Sequence, residues 1–127
     1  MFTPRKMIFS LLFGAMAVTS VSSAQASEVN LYSQRQAFLI DPLLKSFSEE
    51  TGIKVNVVYM KKGMLERLKL EGRNSPADAI LTSDIGNLHN HVKEDLLQPV
   101  KSSTLEGNIS ENLRHPDGLW YGLTVRA

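Results

Sequence analysis

Beyond residue 26 the apolar and polar positions switch between a period of two and a period near four. Val29-Asn30-Leu31-Tyr32-Ser33 reads as a short strand that runs into the polar loop Gln34-Arg35-Gln36. Ile40, Leu43, Leu44 and Phe47 then recur at i, i+3, i+4 and i+7, the apolar face of a helix. Pro42 is expected in the first turn of that helix, where its missing N–H costs little. Gly52 is placed to stop the helix in a left-handed conformation. Residues 54–60, KVNVVYM, are β-branched and aromatic and predict a second strand. After a turn at Lys61-Lys62-Gly63, Met64, Leu65 and Leu68 among charged neighbours predict a short amphipathic helix closed by Gly72. Residues 77–82, ADAILT, predict a third strand. A helix follows, capped by Ser83 or Asp84, with Ile85, Leu88 and Val92 facing inward.

Residues 100–116 show only scattered apolar anchors, Leu105, Ile109 and Leu113, and predict irregular structure. His115-Pro116-Asp117-Gly118 is a turn signal, and Leu119–Arg126 is again β-prone. The order β-α-β-α-β-α, irregular, β defines the α/β class: a parallel-sheet lobe with helices on both faces. Such sheets bind ligands at the carboxyl ends of their strands. Those ends are Ser33 to Gln36, Met60 to Gly63 and Thr82 to Asp84, and they are expected to cluster. The closing β-prone run stops at Ala127, so the chain reads as a truncated part of something longer.

The first 26 residues have a different pattern. Arg5 and Lys6 precede a largely apolar run from Met7 to Val18, and small residues lead to Ala24-Gln25-Ala26. This is the pattern of a secretory signal peptide, with cleavage expected between Ala26 and Ser27. The apolar run is well short of the ~20 residues of a spanning helix. Residues 1–26 form the signal domain and residues 27–127 the lobe. Removing the signal takes Arg5 and Lys6 from the 14 basic side chains and none of the 13 acidic ones, so the net charge moves from +1 to −1. That balance argues against general affinity for nucleic acid or for an anionic membrane. The chain has no cysteine, which excludes thiolate catalysis, thiolate metal sites and disulfides.

Candidate chemistry sits at the strand ends. Arg35 offers a forked guanidinium suited to a carboxylate, carbonate or phosphate. Gly63 and Asp84 each begin a helix at the same edge, where free N–H groups favour anions, and Asp84 reads first as a cap. His89 and His91, two apart on a helix, do not face each other and read as surface histidines. Tyr59, Trp120 and Tyr121 read as core or rim aromatics. No nucleophile elbow, phosphate loop or dinucleotide fingerprint occurs, so the chain does not read as an enzyme.

Five blocks in order then carry a resemblance: VNLYSQRQAFLI (29–40), EETGIKVNV (49–57), ERLKLEGRNSPADAILTSDI (66–85), LQPV (97–100) and DGLWYGLTVRA (117–127). They resemble the periplasmic ferric-ion-binding proteins of iron ABC importers. The resemblance implies the first lobe of a two-lobed periplasmic binding protein, ending at a hinge strand. A ferric ion would lie in the cleft, with carbonate as synergistic anion. A membrane permease and ATPase would be the partners of a monomeric carrier. It also implies that Arg35 and Gln36, with Arg126, contact the anion, and that Asp84 stands near a metal-ligand position. The histidine and tyrosine ligands of many members are replaced here by Gln36 and Ala37. The family's paired tyrosines belong to the second lobe. A binding protein for another ligand, such as a polyamine or an oxyanion, is the alternative within the class. An inactive fragment is a further alternative, and an enzyme domain is the least favoured.

Overall fold

Residues 28–33 form the predicted first strand, β1 (Glu28–Ser33), and it lies between the other two strands of a sheet. The structure, a computed structural model, describes residues 27–125. The expected signal segment, its cleavage site and Arg126 therefore lie outside the described residues. β1 is followed by α1 (Ala37–Thr51), β2 (Lys54–Tyr59), α2 (Met64–Glu71), a 3₁₀ turn (Gly72–Asn74), β3 (Ala79–Leu81) and α3 (Ile85–Lys93). A short α4 (Ser103–Asn108) and a second 3₁₀ turn (Glu111–Leu113) come last.

The sheet order is β2-β1-β3, and both pairings are parallel. Leu31 stands opposite Val57 and Ala79, and Tyr32 opposite Val58 and Ile80. Paired residues share a face, so the Leu31 row and the Tyr32 row line opposite faces. The crossovers from β1 to β2 and from β2 to β3 run in opposite directions. Right-handed connections then put α1 and α2 on opposite faces. Packing agrees: Asp41, Leu44 and Ser48 of α1 share a groove with Val55 and Val57, while Met64 and Leu68 of α2 pack with Tyr32. The expected α/β lobe with a helix on each face is what forms.

The α2 face carries the core. Tyr32, Met64 and Leu68 are buried, flanked by Met60, Ala77, Ile80 and Leu96. The Tyr32 ring is 1% exposed, yet its hydroxyl donates to both Glu71 carboxylate oxygens at 2.9 and 3.1 Å. Arg67 holds the same carboxylate at 2.7 Å and places its guanidinium 4.6 Å from the Tyr32 ring centre. Ser75 donates to it at 2.6 Å. Burial, and then the Glu71 hydrogen bond, push the Tyr32 phenol above its ordinary value, with Arg67 partly opposing. Hydrogen bonds from Ser75, then from Arg67, hold the Glu71 carboxyl below its ordinary value.

Several local expectations need correction. α1 begins at Ala37, so Pro42 lies inside the helix and not in its first turn. Having no N–H, it leaves the Phe38 carbonyl without its i+4 donor. Of the expected inward row, Ile40 is buried and Leu44 half-buried, but Leu43 is 69% exposed. Ile85, expected inward on α3, is exposed, and His91, expected at the surface, is buried. Residues 100–116 are not wholly irregular: Ser102 caps α4 by accepting from the Leu105 N–H at 3.3 Å.

The final strand over Leu119–Arg126 does not form among the described residues. Tyr121 makes a single antiparallel bridge with Arg114, and hydrogen bonds from His115 N–H to the Trp120 carbonyl and from Gly122 N–H to the Leu113 carbonyl fold the segment back on residues 113–115. A β-prone run becomes a strand only where a partner edge meets it, and this one turns back at the predicted turn. Gly118 makes the turn possible: its φ is +73°, and a Cβ there would stand 2.4 Å from the Val100 carbonyl oxygen.

Two consequences are measurable. Leu68→Ala should lower stability by about 2–5 kcal/mol, read as a fall in the urea midpoint with the slope kept. Because the Glu71 carboxyl titrates below its unfolded value of 4.5, its contribution is present above that value and is lost as pH falls through the folded one. Glu71→Gln should therefore flatten the acid side of the stability profile while lowering stability at neutral pH.

Candidate functional site

At the carboxyl edge of the sheet the chain leaves β1 and β3 through loops that touch. The Gln34 N–H donates to the Leu81 carbonyl at 2.8 Å, and the Ser83 N–H reaches Gln34 Oε1 at 3.4 Å. On the other side of β1, the Met60 N–H donates to the Ser33 carbonyl at 2.8 Å. The three predicted strand ends thus come together. Sequence reading missed Gln34 as the residue that joins the β1 and β3 ends; an amide at the end of a strand carries no pattern that announces its partner.

Ser33 is fully buried, and its hydroxyl brackets Arg35. Oγ accepts from the Arg35 N–H at 3.0 Å and donates to the Arg35 carbonyl at 3.2 Å. The Arg35 residue is half-buried, and among the described residues no carboxylate pairs with its guanidinium. Gln36, exposed, is the N-cap of α1, and its side chain makes no capping hydrogen bond. No acidic residue lies in the first turn of α1. Arg35, with no carboxylate partner among the described residues, thus immediately precedes the N-cap of a 15-residue helix, a combination of positive charge and helix dipole that favours an anion.

Asp84 is placed as the cap of α3. Its Oδ1 accepts from the Asn87 N–H at 2.9 Å, and its Oδ2 from the Asn87 side-chain amide at 2.7 Å and from Ser83 Oγ at 3.2 Å. The Asn87 N–H contributes most to holding the carboxyl below its ordinary value. A cation at this carboxylate would compete with the Ser83 and Asn87 side chains. Tyr59, at the end of β2, is a rim aromatic with 41% of its surface exposed, and it donates to the Asp41 carboxylate. That hydrogen bond, and then burial, push its phenol up to about 12.

The histidines do not form a metal site. His91 is 2% exposed, with Nδ1 2.6 Å from the Asn87 carbonyl oxygen, and its Nε2 has no hydrogen-bond partner among the described residues. His89 is exposed. Among the described residues no group of three or more histidine or acidic side chains is arranged to hold a metal. No helix among them is long and apolar enough to cross a membrane.

A short parallel sheet with a helix on each face places any ligand at the carboxyl ends of its strands. The chain matches the N-terminal part of the ferric-ion-binding proteins. It is 47% identical over 104 residues to iron uptake protein A1 of Synechocystis sp., covering 81% of this chain and 29% of that protein. The solved ferric iron-binding protein A of Mannheimia haemolytica, in an open conformation, shares 48% identity with a TM-score of 0.75, over 78% of this chain and 31% of that one. A Trichodesmium protein solved with iron and citrate ligands shares 45% identity with a TM-score of 0.71, over 76% and 31% of the two chains. The chain thus spans about a third of the length of the relatives it matches. No family model matches it.

The capping geometry gives a direct check. Asp84→Ala should lower the urea midpoint of the chain, and Asp84→Asn should retain most of the stability, because an Asn oxygen can still accept the Asn87 N–H. Equal losses for the two would remove the cap as the explanation.

Proposed function

We propose that this chain contributes the anion-anchoring side of a ferric-iron site in a periplasmic carrier that serves an ABC importer. The observation that carries this is Arg35, half-buried as a residue and without a carboxylate partner among the described residues, directly before the N-cap of α1, whose side chain makes no capping hydrogen bond. In this reading Arg35, Gln36 and the first N–H groups of α1 hold a carbonate, and Arg126 joins them from beyond the described residues. The anion completes the coordination of a hard ferric ion, for which oxygen donors are the fitting ligands. Asp84 acts first as a cap, and reaches iron only by giving up a hydrogen bond from Ser83 or Asn87. The remaining ligands come from polypeptide outside this chain. The protein is a binding protein and not an enzyme, exported by residues 1–26 and cleaved after Ala26. The permease and ATPase of the importer are its partners, and it works as a monomer. A polyamine is disfavoured as cargo, since a free guanidinium and a positive helix end would repel it.

The test is a chimera in which residues 27–127 replace the matching third of the Mannheimia ferric-binding protein. Ferric ion with bicarbonate should give the visible phenolate-to-iron absorption band. Arg35→Ala should weaken iron retention by about 10- to 100-fold, the equivalent of losing charge-assisted hydrogen bonds of about 1.5–3 kcal/mol. A folded chimera that gives no band with bicarbonate or with citrate would sink the assignment. A band that needs citrate and ignores bicarbonate would replace carbonate as the anion.

A further inference from the structure

We propose that Tyr59 and Asp41 are positioning residues for the anion site: their hydrogen bond fixes the first turn of α1, which supplies the anion-holding N–H groups, to the end of β2. This rests on Arg35 and the start of α1 being an anion anchor, and it adds two side chains that touch no ligand.

The helix and the strand meet along a groove. α1 begins at the carboxyl edge of the sheet and runs back along β2, so early residues of the helix lie beside late residues of the strand. Asp41, Leu44 and Ser48 line the groove with Val55 and Val57. Val55, Val57 and Tyr59 alternate along β2 and so project from one face. Tyr59 therefore stands at the ligand end of the groove, and there its hydroxyl donates to the Asp41 carboxylate. Below that contact the groove is open, with a cavity of about 220 Å³, and Leu44 and Ser48 are only half-buried. Apolar packing alone holds the helix loosely on this side.

The first turn needs such a tie. Pro42 has no N–H, so the helical ladder is interrupted where the first turn joins the second. Residues 37–41 are thus joined to the rest of α1 by one hydrogen bond fewer than an unbroken helix gives. Ile40 is buried, but Phe38 and Leu39 are 70 and 46% exposed and add little hold. Asp41 is the one polar side chain of the turn, and Tyr59 takes it. The phenol, pushed up to about 12 chiefly by this bond, keeps its proton and its role as donor through the neutral range. A turn fixed in advance spares an arriving anion the cost of ordering it.

The test uses the isotope-labelled chain, expressed in full and recovered from a bacterial periplasm, and follows each amide by NMR. Tyr59→Phe should speed hydrogen exchange at the Leu39 amide, which donates to the Gln36 carbonyl, by about 2- to 10-fold. Exchange from Ser48 to Thr51, at the far end of α1, should not change. The same variant should raise the bicarbonate concentration that half-shifts the Ala37 and Phe38 amides by about 2- to 10-fold. Asp41→Ala should bind bicarbonate more weakly than Asp41→Asn by a similar factor, although the two have equal charge, because the Asn oxygen still accepts the phenol proton. Unchanged exchange in Tyr59→Phe overturns the proposal, as does faster exchange with unchanged bicarbonate affinity. So does equal behaviour of the two Asp41 variants, or a loosening spread evenly along α1, which would assign the bond to stability alone. A wild type whose first-turn amides answer neither bicarbonate nor citrate, while Tyr59→Phe still loosens the turn, overturns the anion reading and supports the fixing of the turn.

Discussion

A buried phenol must find a partner for its hydroxyl, and the lobe is arranged around that requirement at Tyr32. The ring fills the space between β1 and α2, and its hydroxyl is satisfied by bringing Glu71 over it. Glu71 in turn gathers Arg67 from one turn earlier and Ser75 from beyond the 3₁₀ turn. The end of α2, the connection to β3 and the central strand are thereby tied at one point. β3 is then set against β1 by a polar contact at its entrance. The Asp78 N–H donates to the Asn30 carbonyl, and the Asp78 carboxylate accepts from the Asn30 N–H.

The elements that were legible in the sequence are those whose signal is local. Gly52 stops α1 with φ +71°, and its N–H reaches the Ser48 carbonyl, as a glycine after an apolar helical run implies. Asp84 caps α3 through the Asn87 N–H, three residues on. The parallel pairing and the two-faced lobe followed from alternation of strands and helices. What was not legible depended on neighbours. His91 looks like a surface residue beside His89, but it falls on the packed side of α3 near Leu88 and Val92, and only the placement of that helix decides this. Leu119–Val125 has every local property of a strand and lacks only an edge to pair with, which no window of sequence contains. α4 was missed because its one strong signal, Ser102 as a cap, stands among other serines and threonines with little apolar periodicity behind it.

For the candidate site the sequence offers residue types and not their arrangement. Arg35 and Gln36 were recognisable as candidate anion contacts after a first strand. The loop's attachment to the β3 end through Gln34 emerges only in three dimensions. Asp84 shows the opposite case: a carboxylate expected near a metal-ligand position whose oxygens accept from Asn87 of its own helix and from Ser83.

Ser33 holds the backbone of Arg35 in place. Its hydroxyl closes a small ring with both the N–H and the carbonyl of Arg35, inside a residue shielded from water. Ligand capture through a floppy loop loses part of its gain to ordering the backbone. Here Ser33 already holds the Arg35 backbone, so in the proposed anion site mainly the Arg35 side-chain torsions would remain to be ordered. If Arg35 anchors an anion as proposed, a hydroxyl that touches no ligand would thus act on how long that anion stays, and a methyl in its place would shorten the residence while leaving every ligand contact in name intact.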